Sequence, residues 1–195
     1  MKRFALLLIV LYLSSLLTRS ANADSAKNKN LAGIEVLTGF SEGDLKGKEN
    51  YILTPLLLDL DFDLKPLLLQ KLNFNPRPLV QFQIEPFISF VSTPNNNIET
   101  GTSFFLKVGI LPETSKFQPY VKGGVGMVYM TQHTREQSTQ FNFTEQAGIG
   151  MQYFFFKNTA FILEGRLRHL SNAKIKEPNI GIDNYFILAG ISHRF

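Results

Sequence analysis

The feature that most constrains the fold is a series of segments, each about ten residues long, in which apolar and polar side chains alternate. Successive side chains of a β-strand point to opposite faces, so this alternation predicts strands with one apolar and one polar face. Clusters of Gly, Pro, Asn and Asp separate the segments, as is typical of turns. The sequence therefore predicts an all-β chain of eight strands, at 32–40, 51–62, 79–92, 101–112, 119–132, 141–156, 159–171 and 183–195.

Two architectures produce this alternation. A soluble barrel or sandwich buries the apolar face, whereas a transmembrane barrel turns it toward lipid and fills the lumen with polar or small residues. The apolar faces are rich in aromatic residues, with 18 Phe and 6 Tyr in the chain, which favours the membrane form. The opposite faces carry a set of charges that would then pair inside the lumen: Glu85, Lys107, Lys122, Glu164, Arg166 and Arg168. We expect an eight-stranded antiparallel transmembrane β-barrel, with a soluble lipid-binding barrel as the alternative.

The N-terminal residues predict export from the cytoplasm. A basic start, an apolar run over 4–17 and the Ala21-Asn22-Ala23 cleavage pattern are typical of a signal peptide over 1–23, which leaves a barrel domain over 24–195. The apolar run is shorter than the roughly 20 residues of a membrane-spanning helix. Removal of Lys2, Arg3 and Arg19 with the signal leaves 17 basic and 16 acidic residues, so the composition gives no support for nucleic-acid binding.

The strand count also predicts which connections face outward. With both termini in the periplasm, the extracellular connections are 41–50, 93–100, 133–140 and 172–182. The periplasmic connections are then 63–78, 113–118 and 157–158, and the first of these is long enough for a short helix or an extension of the second strand. The aromatic last residue, Phe195, on an alternating strand is also typical of outer-membrane barrels.

The last two segments carry a candidate catalytic set on the predicted lipid-facing side. His169 and Ser171 are two residues apart in one strand, and the odd positions of the next strand place Asp183 on the same face. A serine hydroxyl becomes a good nucleophile when a neutral histidine takes its proton, and an acid holds the imidazole in the correct tautomer. Asn172 or Asn179 would supply an amide donor to a developing oxyanion. The spacing alone also fits ordinary girdle and loop residues.

A wider motif surrounds this set: Arg168-His169-Leu170-Ser171-Asn172-Ala173, then Pro178-Asn179-Ile180-Gly181-Ile182-Asp183-Asn184-Tyr185. It resembles the C-terminal signature of the lipid A 3-O-deacylase (PagL) family. The resemblance implies an eight-stranded barrel in the bacterial outer membrane that hydrolyses the ester-linked acyl chain at the 3-position of lipid A, with a serine, a histidine and an acid on its outer face.

Position by position, the resemblance assigns Ser171 as the nucleophile, His169 as the base and Asp183 as the acid, where the family usually has glutamate. Lys174 stands where better-known members carry a glycine whose backbone amide serves the oxyanion hole. Asn172 and Asn179 match motif asparagines, either as oxyanion donors or as loop support.

The expected partners are lipid A or lipopolysaccharide and the outer membrane, and the oligomeric state stays open, with a homodimer among the alternatives. We expect no cofactor and no metal, because the three histidines are too scattered for a ligand set and no phosphate-binding glycine loop is present. A non-catalytic barrel with a structural or adhesive role is the alternative to the deacylase.

Overall fold

Eight antiparallel strands in chain order form a closed barrel, as the sequence predicts. The computed structural model describes residues 31–45, 50–132 and 138–195, so the predicted signal segment over 1–23 lies outside the described residues. Each strand pairs with the next, and β8 closes on β1 from Gly33 opposite Arg194 to Asp44 opposite Asp183. The strands are β1 Leu31–Asp44, β2 Asn50–Asp63, β3 Pro78–Thr93, β4 Asn97–Pro112, β5 Phe117–Met130, β6 Phe141–Phe154, β7 Thr159–Ser171 and β8 Ile182–Arg194.

Two predicted outward connections are shorter than their composition suggests. Residues 41–44 have the composition of a turn but continue β1 against β8, and β4 begins at Asn97 rather than at residue 101. Backbone pairing with the neighbouring strands holds both segments extended: Phe90 lies opposite Ile98, and Glu42 lies opposite Tyr185. The Gly and Asp residues of 41–44 are tolerated because the ladder supplies the hydrogen bonds that a turn would otherwise have used.

The long connection after β2 contains a short helix, α1, over Lys65–Leu72. Pro66 stands in its first turn, where a missing N–H costs nothing, and Asn73 ends it in a left-handed conformation. The N–H of Asn73 donates back to the carbonyls of Leu68 and Leu69, which satisfies the last turn. Within the described residues, no helix has the length and apolar character needed to cross a membrane.

The outward faces of the strands are apolar, and the inward faces carry polar and charged residues together with a cluster of buried apolar ones such as Leu53. Large apolar side chains such as Phe90, Leu106, Ile149 and Ile187 are exposed on the outside, whereas buried glutamines and charged residues face the lumen. This distribution inverts that of a soluble protein and matches a barrel whose exterior faces lipid. The six charged residues predicted to face inward are all buried.

Ion pairs and hydrogen bonds join the polar side chains of the lumen. Arg166 donates to both carboxylate oxygens of Glu85 over 2.6 and 2.7 Å and also pairs with Glu164 at 2.7 Å. Lys122 lies 3.4 Å from Glu164, and Lys107 lies 2.6 Å from Glu35. Because a buried charge is costly unless it is paired, these contacts make the polar lumen compatible with folding.

Candidate functional site

The β7–β8 hairpin brings His169 and Asp183 directly together on the outside of the barrel. The two residues are cross-strand partners, and the Nδ1–H of His169 donates to Oδ1 of Asp183 over 2.6 Å. Their side chains are 45% and 63% exposed, so this hydrogen bond lies on the outward face and not in the lumen. With Nδ1 engaged, Nε2 is the ring nitrogen left for a reacting proton.

The neighbouring residues of the same strands anchor the hairpin from inside. Arg168 and Asn184 are the next cross-strand pair, and the Arg168 guanidinium donates to Oδ1 of Asn184 over 2.8 Å. The same guanidinium pairs with Glu99 at 2.8 Å, and Glu99 accepts a 2.7 Å hydrogen bond from the Tyr51 hydroxyl. A slip of one residue would carry these side chains to the lipid face, so the lumenal contacts fix the register that places His169 opposite Asp183.

Ser171 ends β7 on the same outward face as His169, two residues further along the strand. Its cross-strand partner on β6 is Phe143, and its side chain is half-buried. Among the described residues, no hydrogen bond joins Ser171 to His169. Side chains two apart on a strand are neighbours on one face, so Ser171 and His169 stand beside each other on the outside of β7.

The loop after Ser171 begins with a tight turn of unusual conformation. Ala173 and Lys174 both have positive φ, at 53° and 63°, and the N–H of Ile175 donates to the carbonyl of Asn172 over 3.1 Å. These features define a type I′ turn, which normally uses Asn, Asp or Gly at its two central positions. The backbone N–H groups of Ala173 and Lys174 find no acceptor in the described part of the chain.

The two motif asparagines have different surroundings. The side-chain amide of Asn172 is buried and donates to the carbonyl of Lys176 over 2.7 Å and to the hydroxyl of Ser138 over 3.2 Å. Asn179 accepts the backbone N–H of Asn172 over 2.8 Å through its Oδ1, and its own amide nitrogen has no acceptor among the described residues. The structure thus ties the Asn172 side chain to its own loop and to Ser138 of a neighbouring loop, and leaves the Asn179 nitrogen able to donate elsewhere.

Ser138 joins this loop to the neighbouring β5–β6 connection. Its N–H donates to the carbonyl of Pro178 over 3.1 Å, and its hydroxyl donates to the carbonyl of Lys176 over 2.8 Å. Sequence reasoning does not find this residue, because a lone serine in a loop carries no pattern that points to a partner in another loop.

Glu145 is a second carboxylate beside His169 that sequence reasoning also misses. It lies on the outward face of β6 as the cross-strand partner of His169, on the side opposite Asp183. The sequence does contain one indication of it: Glu145 is a charged residue within the row of otherwise apolar side chains on the lipid-facing side of β6. The histidine therefore has a carboxylate on each neighbouring strand, and the one on β8 holds the hydrogen bond.

Two connected grooves run along the outside of the barrel from the His169–Asp183 pair. The first has a volume of about 510 Å³ and the second about 560 Å³, and they share Ala147, Leu167 and Tyr185. Gly165 lies in the floor of the second, where a Cβ would meet no atom within 4 Å. Small floor residues between larger side chains leave an apolar channel of the kind that suits a hydrocarbon chain.

The other histidines stand apart from this site. His193 lies at the far end of β8, 3.1 Å from the Thr159 hydroxyl, and His133 lies outside the described residues. In the ranges that the structure describes, no group of three or more His, Cys, Asp or Glu side chains is arranged to hold a metal ion.

Comparison with known proteins gives one family and one fold. A family model described as lipid A 3-O-deacylase (PagL) matches residues 70–192, which is more than half of the chain. The crystal structure of the outer membrane enzyme PagL aligns with a TM-score of 0.59 at 15% identity, covering 82% of this chain and 98% of that one. The crystal structure of Neisserial surface protein A aligns with a TM-score of 0.59 at 8% identity, covering 84% of this chain and 96% of that one. At such identities the structural likeness shows the fold alone, and no curated protein matches the sequence.

Proposed function

This chain belongs to the lipid A 3-O-deacylase (PagL) family of the bacterial outer membrane, and we propose that it removes the 3-linked acyl chain of lipid A by serine ester hydrolysis in the outer leaflet. The observation that carries the mechanism is the 2.6 Å hydrogen bond between His169 and Asp183 on the outward face, with Ser171 two residues further along the same strand. A site on the barrel exterior suits a substrate that is itself a membrane lipid and reaches the enzyme by lateral diffusion.

The reaction proceeds in two halves. Nε2 of His169 takes the Ser171 proton as Oγ attacks the ester carbonyl, and Asp183 stabilises the imidazolium through the Nδ1–H bond. Collapse of the tetrahedral intermediate breaks the ester bond, and His169 returns the proton to the departing sugar oxygen. A water molecule then attacks the acyl-serine with the same histidine as base, which releases the fatty acid and restores the serine.

The oxyanion of each tetrahedral intermediate needs donors near Ser171. The loop offers the backbone N–H groups of Ala173 and Lys174 and the amide nitrogen of Asn179, none of which has an acceptor among the described residues. Asn172 supports the loop through its contacts with Lys176 and Ser138. Lys174 keeps a left-handed backbone conformation despite its side chain, and a glycine would adopt that conformation without strain.

The outer grooves hold the acyl chain. The first groove contains the histidine and the aspartate, and the second continues away from them between Leu167, Ile149 and Tyr185. The first groove begins at His169, two residues before Ser171 on the same strand face, so the chain of an ester attacked by Ser171 can lie along this apolar channel. This geometry favours a substrate with a long acyl chain over a small soluble ester.

Mass spectrometry of lipid A from a Gram-negative host that expresses the protein tests the proposal. The wild-type chain should convert lipid A to a species lacking one ester-linked acyl chain, and Ser171→Ala and His169→Ala should each lower this conversion by about 10⁶-fold, as for the serine and the histidine of a serine triad. Ser92→Ala is a matched control. Like Ser171 on β7, Ser92 lies near the C-terminal end of its strand, β3, and it is exposed, but β3 is four strands away from β7 in the barrel. Equal activity of the wild type and the two site variants would contradict the mechanism.

The absence of a Ser171–His169 hydrogen bond in the described part of the chain is the one observation that favours a non-catalytic barrel with a structural or adhesive role. Labelling with a serine-directed fluorophosphonate in detergent separates the two functions. The enzyme should label at Ser171 and lose the label in His169→Ala, whereas a non-catalytic barrel should give no labelling and leave lipid A intact.

A further inference from the structure

Gly181 lies against the edge of the His169 ring at the point where the loop enters β8. It directly precedes Ile182, the partner of Leu170, and has a φ of +85°. A Cβ at this position would lie 2.6 Å from Cε1 and 3.2 Å from Nε2 of His169. Real contacts at 2.6 Å do not occur, so any side chain here would displace the imidazole.

Any movement of the ring away from residue 181 has to change the contacts that hold it now. Its Nδ1 side is held by Asp183 over 2.6 Å, and its backbone is paired with β6 and β8. Rotation away from residue 181 therefore lengthens or breaks the bond to Asp183. The ring is 45% exposed, so few other protein contacts oppose that rotation.

We propose that Gly181 is a positioning residue for the His169 imidazole: its missing side chain lets the ring bond Asp183 through Nδ1 and leaves the Cε1–Nε2 edge free of a collision. This inference rests on the proposed function for its effect on catalysis. The contact between Gly181 and the ring is independent of that function and can be measured separately.

The positive φ of Gly181 is a second reason for glycine, and the experiment has to separate the two. A substitution to alanine adds backbone strain in any background, but it adds the collision with the ring only where the ring is present. A double-mutant cycle between Gly181→Ala and His169→Ala therefore isolates the contact with the ring. Stability is followed by the temperature at which the folded band converts to the unfolded band in detergent gels.

The expected results are specific. Gly181→Ala should lower kcat for lipid A deacylation by about 100-fold with little change in KM, as for a small displacement of a catalytic group. Its melting temperature should fall more in the wild-type background than in His169→Ala. The nitrogen resonances of the His169 ring, one of only three histidines in the chain, should shift in Gly181→Ala. Gly123→Ala is the control, because its Cβ would meet only one atom, at 3.9 Å.

Unchanged kcat in Gly181→Ala would overturn the proposal. An equal fall in melting temperature in both backgrounds would also overturn it, since the loss would then come from backbone strain alone. If His169→Ala keeps full activity, the proposed catalytic mechanism fails. The contact between Gly181 and the His169 ring is still tested in that case, by the double-mutant cycle and by the ring resonances.

Discussion

Two neighbouring residues of β7, Arg168 and His169, each pair with a carboxylate, and the two pairs differ in burial and in the number of their partners. Arg168 points into the lumen and pairs with Glu99, and both side chains are buried among further partners. His169, the next residue, points outward and pairs with Asp183, and both side chains are largely exposed. One residue along a strand changes a structural ion pair into a candidate catalytic one, because successive side chains lie on opposite faces.

The difference shows how this barrel divides its tasks. The lumenal pair is surrounded by Tyr51 and Asn184, so its removal leaves buried polar groups without partners. The outward pair has few neighbours, and the second ring nitrogen of the histidine stays open, which suits proton transfer rather than rigidity. The inner network therefore sets the strand register, and the outer pair depends on that register.

The largest difference that we expect between the two pairs is in their contribution to the stability of the barrel. Arg168→Met should lower the free energy of unfolding by about 3–5 kcal/mol, because it leaves the buried Glu99 carboxylate without its cation. His169→Ala should change it by less than about 1 kcal/mol, as expected for an exposed residue. Urea titration of the barrel in detergent measures both. Arg168→Met combined with Glu99→Gln should recover part of the loss, and equal losses at residues 168 and 169 would break the contrast.

The second effect concerns which carboxylate serves His169. Asp183→Asn should lower deacylation by about 100-fold, since it removes the charge that stabilises the imidazolium. Glu145→Gln, on the other side of the ring, should change the rate only a few-fold, because no hydrogen bond joins Glu145 to His169 among the described residues. Initial rates on lipid A in mixed micelles measure both variants. A larger loss from Glu145→Gln would assign the acid to β6.

The smallest effect lies in the turn after Ser171. Lys174→Gly should stabilise the protein by about 1 kcal/mol, because glycine adopts the left-handed conformation without the penalty of a side chain. The gel conversion temperature should rise by about 2–4 °C. Lys176→Gly, in the same loop but without a positive φ, should lower that temperature instead. A lower conversion temperature for Lys174→Gly than for the wild type would show that the Lys174 side chain stabilises the turn by a contact of its own.

The faces of the strands are predictable from the sequence, and the strand ends are less so. Alternation is a local property, so it is enough to assign Glu85, Arg166 and Arg168 to the lumen and the aromatic rows to the outside, where the structure also has them. The Gly and Asp residues of 41–44 predict a turn, and that prediction is wrong because composition does not show that a distant strand, β8, pairs with them.

The site is predictable only where its residues share a strand or a motif. His169 and Ser171 follow from spacing, and Asp183 follows from parity together with the family signature; the roles of all three stay predictions. Glu145 and Ser138 escape sequence reasoning because they reach the site from other strands and loops.

By itself, the sequence determined the eight strands, their two faces and the motif, because these depend on a two-residue period and on neighbours along the chain. Only the tertiary structure decided the register, and with it that the imidazole of His169 bonds Asp183 while its edge lies against Gly181. Register depends on contacts between residues far apart in the chain, such as Arg168 with Glu99, and no local pattern contains them.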